Sequence, residues 1–257
     1  MGTPIDLNYA GQLCEVTGQI MNEYAYREHR EPGVDIKMFD DRHKRGRMEY
    51  PLLTTHRLAR FYLIGAGDFV YAMGKLLQLE VPMTVSPAAL ARCAAEYCGA
   101  AWALSDPSED HLTRLSRAER IFSSGLDNSR SDKNDELDAL AVEFKQWREQ
   151  TDLPKVAKMN ATALVRDLTR GLSSTDTRGY EYLSRIVHGN AVTLTKTVIS
   201  AQQSSTFNAE QSAAHALYAC WCGISACDRA QAIRGGDETD LGNLKDFFNQ
   251  VADFYGT

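Results

Sequence analysis

Ser86-Pro87-Ala88-Ala89-Leu90-Ala91-Arg92-Cys93-Ala94-Ala95-Glu96-Tyr97-Cys98-Gly99-Ala100-Ala101-Trp102-Ala103-Leu104 is the stretch on which the fold turns. A serine followed by proline is a helix-start signal. The hydroxyl can accept from free N–H groups of the first turn, and proline lacks an N–H that would have no partner there. From Ala88 to Leu104 only Arg92 and Glu96 carry charge, and alanine dominates. Neighbouring helices can therefore approach on nearly every side, which predicts the central helix of an all-α protein.

Working outward, Leu58, Tyr62, Phe69, Ala72, Met73 and Leu76 hold a 3.6-residue stripe that predicts a helix over 54–77. Ser105-Asp106-Pro107 closes the central helix and Ser108-Glu109-Asp110 opens the next, with Leu112, Leu115, Phe122 and Leu126 facing inward. Further helices are predicted over 137–147, from an Asn160 cap to Leu168, over 179–188, from an Asn208 cap to Ile233, and over 241–254. Turns are expected over 127–134 and 171–176. The alternation of β-branched and polar residues from Val192 to Ile199 reads as a loop or brief strand. At the other end, a helix over 9–28 is broken by Pro32-Gly33, and 33–51 reads as a mobile polar connector. The expectation is an antiparallel helical bundle of about seven to nine helices with at most one short strand pair. Residues 1–50 form an N-terminal helix and connector, and 51–257 the bundle domain.

The chain of 257 residues can bury an ample core without staples. Its 28 basic and 34 acidic residues give a net charge of −6, so any nucleic-acid contact must come from a local basic patch. Of six cysteines, Cys93, Cys98, Cys220 and Cys227 lie in apolar helical patterns, which suits reduced thiols in a cytoplasm. Residues 1–7 lack the pattern of a signal peptide. The longest uncharged run, Gln211–Ala226, is shorter than a bilayer span and contains polar residues, so no membrane partner is expected.

The richest site signal is Gly179-Tyr180-Glu181-Tyr182-Leu183-Ser184-Arg185-Ile186-Val187-His188-Gly189-Asn190. Tyr180, Leu183 and Val187 form a core stripe. Glu181, Ser184, Arg185 and His188 form a polar one beside it, and Gly189 stops the helix. His188 is a candidate general acid or base, or a histidine that serves the helix dipole, and Glu181 and Arg185 can satisfy each other. Glu96 must find a partner or a proton in its apolar helix. Arg92, Arg117 or Arg120 would make it structural, whereas a position facing His188 would make it functional. Arg114, Arg117 and Arg120 are candidate phosphate contacts or simply a solvated row. No metal is expected: Cys222 points about 200° from Cys220 on a helix, and Asp40-Asp41 is followed by Arg42, His43 and Lys44, which argues against a magnesium diphosphate site.

Two segments together, Ala91–Pro107 and Tyr182–Asn190, resemble uncharacterised actinobacterial helical proteins, and the second is similar to the Leu-Ser-x-x-x-His ending of some HEPN-like bundles. The resemblance implies an antiparallel helical bundle, often a dimer. In active members it implies a metal-independent ribonuclease with an arginine and a histidine at one helix end. Those enzymes space the two by four to six residues, whereas two separate Arg185 from His188, so His188 alone carries over.

The function expected is an HEPN-like protein that binds RNA or a nucleotide in bacterial stress or defence. His188, Arg185 and Glu96 would be its catalytic candidates, and Arg114, Arg117, Arg120, Tyr182 and Asn190 its binding candidates. No cofactor is expected, and a homodimer is what the resemblance implies. The alternatives are a small-molecule enzyme or binding protein, with Glu96 and His188 in a cavity lined by Tyr62, Tyr97, Trp102 and Trp221, and a non-catalytic interaction module.

Overall fold

The computed structural model describes residues 6–28, 31, 33–80, 83–129, 135–157, 159–171, 177–235 and 238–256. Among them are eleven α-helices: α1 (Asn8–Tyr26), α2 (Ile36–His43), α3 (Pro51–Leu77), α4 (Ser86–Leu104), α5 (His111–Ser129), α6 (Asp135–Glu149), α7 (Ala161–Leu168), α8 (Thr177–Val187), α9 (Ala191–Gln203), α10 (Ser205–Arg234) and α11 (Thr239–Tyr255). The protein is all-helical. The only β pairing among the described residues is an isolated bridge between Arg45 and Met48. The turns expected at 130–134 and 172–176 lie outside the described residues.

The expected count of seven to nine helices is too low, because two segments read as irregular are helical. In the polar connector, Asp35 caps α2 by accepting from Met38 N at 2.9 Å. In the alternating segment, Asn190 caps α9 by accepting from Thr193 N at 3.0 Å. Alternation of β-branched residues is a weak preference, and a satisfied cap outweighs it. Caps elsewhere also shift. Asn160 caps α7 as predicted. Ser204 rather than Asn208 caps α10, accepting from Phe207 N at 3.1 Å. Ser86 and Pro87 open α4 without a side-chain cap bond.

The core is a ring of α1, α3, α4 and α10, each packed against the next. Helix α1 is one wall of the core, contributing Ala10, Leu13, Cys14, Met21 and Tyr24. The tightest seam joins α1 to α3. A Cβ built on Gly18 would lie 2.7 Å from the Gly67 carbonyl oxygen, and one on Gly74 would lie 2.7 Å from that of Gly11. Pairing Gly11 with Gly74 and Gly18 with Gly67 makes these helices antiparallel. The buried face of α3 is therefore Ala59, Leu63, Ala66, Val70, Met73 and Leu77, one residue away from the predicted stripe, and Ala72 is exposed.

On its other side α1 meets α10. The Cys14 and Cys220 sulfurs are 3.5 Å apart, and Arg234 donates to the Tyr24 carbonyl at 3.2 Å. This register makes α1 and α10 parallel, unlike the antiparallel arrangement expected throughout. The long excursion through α5 to α9 returns the chain to the starting end, which a short loop would not allow. All six cysteines are free, and five are buried.

The connector that reads as mobile is pinned by buried charge. Asp40, 2% exposed, accepts from Leu52 N at 2.6 Å and Leu53 N at 3.4 Å, capping the start of α3. Glu31 meets Arg114, His56 Nε2 at 3.2 Å and His111 Nε2 at 3.1 Å. Desolvation would raise the Glu31 carboxyl, but the bonded Arg114 guanidinium and the adjacent imidazoles of His56 and His111 outweigh it and hold it down at about 2, while burial lowers the pKa of His56.

Two outcomes follow from this packing. Gly18→Ala should lower stability by about 1–3 kcal/mol despite alanine's better helix propensity, because the opposing backbone must move. Gly242→Ala, with nothing within 4 Å, should be neutral or stabilising. Chemical denaturation of both variants compares them directly. Glu31→Gln should cost about 3–5 kcal/mol at neutral pH by leaving Arg114 buried and unpaired. The unfolded Glu31 binds a proton near 4.5 and the folded one near 2. Its stabilisation is therefore complete above pH 4.5 and lost as pH falls towards 2. Denaturation curves across that window should be steeper in pH for the wild type than for the variant.

Candidate functional site

A short corner positions the site. α8 ends in a Schellman motif: Gly189, at φ +65°, donates to Ile186 O at 3.0 Å, and Asn190 N donates to Arg185 O at 2.9 Å. Asn190 then caps α9, its Oδ1 accepting from the Thr193 amide and also from Thr193 Oγ1 at 3.1 Å. Only His188, Gly189 and Asn190 separate the two helices.

Between α8 and α9 lies a groove of about 470 Å³. Tyr182 and Arg185 line it from α8, Asn190 from the corner, and Phe207 from the start of α10. α9 contributes Thr193, Lys196, Thr197 and Ser200, spaced i, i+3, i+4 and i+7 on one face. Thr197 Oγ1 donates to Thr193 O at 2.9 Å, so the Tyr182 hydroxyl, 2.9 Å from the same oxygen, is the donor to it. The Tyr182 ring stacks on His215 with centroids 6.3 Å apart and planes at 28°.

Arg185 is well exposed, and its contact with Glu181, at 3.8 Å between two exposed groups, holds it weakly. Lys196 is exposed and makes no ion pair among the described residues. Two cations, a carboxamide and several hydroxyls thus border an aromatic floor. Such a set suits a phosphate or carboxylate attached to a flat ring. His188 is exposed just past the end of α8, three residues beyond Arg185.

The other candidates lie elsewhere. Glu96 Oε1 accepts from Tyr180 Oη at 2.8 Å and pairs with Arg92 at 2.8 Å. Tyr180 precedes His188 by eight residues, about 12 Å along the helix axis, so the structure does not bring Glu96 and His188 together. The core stripe of α8 is Tyr180, Leu183 and Ile186, and Val187 is exposed instead. Arg114 is 2% exposed and bound to Glu31. Arg117 pairs with Glu109 and with Asp106 at 3.3 Å, and donates to Ala103 O at 3.0 Å. Arg120 is half-buried on α5 and does not line the groove. Tyr62 and Phe69 pack edge-on against Tyr97, and the Arg229 guanidinium covers the Trp102 ring at 3.1 Å.

Of the residues singled out in the sequence, Tyr182, Arg185 and Asn190 line the groove and His188 does not, while Thr193, Lys196, Thr197 and Ser200 were missed. Their helical spacing was legible beneath the alternation that suggested a strand. Also missed were Glu31, His56 and His111, which come from three separate segments and share no spacing. Among the described residues no group of three or more His, Cys, Asp or Glu side chains could hold a metal ion, and no helix is long and apolar enough to cross a membrane. Comparison with protein-family models, with curated proteins and with solved structures finds no match for this chain.

Proposed function

We propose that this chain is an HEPN-like helical protein that binds RNA or a nucleotide through the α8–α9 groove, in a bacterial stress or defence setting in the cytoplasm. One observation carries the proposal: Arg185 and Lys196 reach the same groove from different helices, beside Tyr182 and Phe207. Phosphate is met by the cations and by the donors of the Asn190 carboxamide and the Ser200 hydroxyl, while the aromatic rings offer a face to a base. The net charge of −6 makes this a local attraction rather than a property of the whole surface.

In the cleaving form of the proposal, His188 takes the proton of a ribose 2′-hydroxyl as its oxygen bonds to the adjacent phosphorus, the 5′-oxygen of the next nucleotide leaves with a proton from water, and Arg185 stabilises the charge gathering on the non-bridging oxygens. Arg185 stands in the last turn of α8 and His188 just beyond it. No step requires a metal. The homodimer expected from the family resemblance belongs to the same proposal.

Arg185→Glu combined with Lys196→Glu should raise the Kd for a labelled single-stranded RNA at least tenfold. It should also flatten the slope of log K against log salt by about 1.4, twice the single-strand value per phosphate contact. Unchanged affinity and slope would remove the groove from consideration. Incubating the same RNA with wild type and with His188→Ala separates binding from cleavage. Loss of product with binding retained assigns the chemistry to the imidazole, and equal product from both refutes that role.

A further inference from the structure

His215, on α10, is 7% exposed, and its Nδ1 has no hydrogen-bond partner among the described residues. Buried polar atoms are almost always paired, so an unpaired one needs a reason. The imidazole lies against the ring of Tyr182, which lines the groove and donates to Thr197. Thr197 is the only buried residue of α9. Three side chains in series therefore connect the inside of α10 to the helix that forms one wall of the groove.

We infer that His215 is a proton-operated latch on this groove: the neutral imidazole keeps Tyr182 and Thr197 in register and α9 closed against α8, and the protonated imidazole releases α9. The proposal takes the groove's ligand from the function proposed above, but the movement of α9 is measurable with no ligand present.

Among the described residues no charged group on α10 or on the helices packed against it, α1, α3, α4, α9 and α11, acts on an imidazolium formed here. α8 carries Tyr182, with Glu181 and Arg185 on its outer side, and α9 carries Lys196. α4 carries Arg92, already paired with Glu96, and α1 carries Glu15, held by Lys75. α10 itself adds Glu210 and Tyr218. Burial, with no charged neighbour contributing, holds the His215 pKa at about 4 against the usual 6.5. A buried unpaired charge must be hydrated, and water has two routes to it. Moving α10 would disrupt Ala213, Ala216, Leu217, Ala219 and Cys220, all in the core. Moving α9 uncovers one buried residue, Thr197, and the half-buried Leu194, Val198 and Ala201, so α9 is the element that yields.

The sign is diagnostic. Acid ordinarily tightens binding of polyanions, since exposed histidines gain charge. The latch predicts weaker binding.

Hydrogen–deuterium exchange of residues 191–203, corrected for intrinsic rates, tests the latch directly. If the closed state titrates near 4 and the open state near 6.5, wild-type protection of α9 should fall roughly 30-fold between pH 7.5 and pH 5, with α3 and α4 unaffected. In His215→Phe, which keeps the aromatic stack, the fall should be less than about threefold. Protection that stays constant in wild type, or falls equally in the variant, overturns the inference. Thr197→Val gives a second check that leaves the core alone. It should make α9 exchange fast at both pH values, and wild-type behaviour in it also overturns the latch. Binding of a labelled single-stranded RNA at the same two pH values separates the two proposals. Release of α9 with no RNA bound at either pH refutes the groove's assignment and supports the latch, whereas RNA binding that tightens in acid over a protected α9 refutes the latch alone.

Discussion

The approach of α1 to α3 sets the geometry on which the other helices depend. At Gly11 opposite Gly74 and at Gly18 opposite Gly67, each backbone occupies the space a side chain would need. Four glycines in a helical core carry a large conformational cost, and the close contact of two long helices offsets it through dispersion along the whole seam. Once α1 is held this near, its opposite face is left to α10, where Gly223 stands against Met21 and Thr17, and Cys14 against Cys220. Alanine and cysteine complete the ring on α4 and α10. The core is thus built by small residues that let backbones come together more than by large side chains that fill gaps.

Around this ring the peripheral elements are attached largely by charge. Arg114 and Arg117 leave α5 to meet Glu31, Asp106 and Glu109. Arg229 reaches Asp106 at 2.8 Å. Buried pairs of this kind add little net stability over an apolar equivalent, but they tolerate few alternative registers, because misplacing one partner strands the other in a low-dielectric site. They explain why a connector rich in charge is ordered and why the arginine row of α5 is occupied by the protein itself.

The groove differs from both. α9 is joined to α8 by three residues, buries one side chain, and leaves Val192 and Ile199 exposed. Elements that bind and release ligands come from the less stable parts of a fold, and α9 has that character. Glu96, by contrast, was the more conspicuous residue in the sequence, because a carboxylate in an apolar helix demands a partner. Arg92 and Tyr180 supply the partners, which leaves the carboxylate a structural role.

Local properties were legible in the chain alone. Apolar periodicity marked most helices, Asn160 and Gly189 marked helix ends, and the polar face of α8 singled out Arg185 and His188. These depend on residues within a few turns of one another, where spacing converts directly into direction. Tertiary structure alone decided the partners: which carboxylate takes Arg114, which face of α3 is buried, that α10 returns parallel to α1, and that Lys196 stands across a groove from Arg185. Each of those depends on contacts between segments distant in sequence, and no local spacing encodes which distant groups will meet.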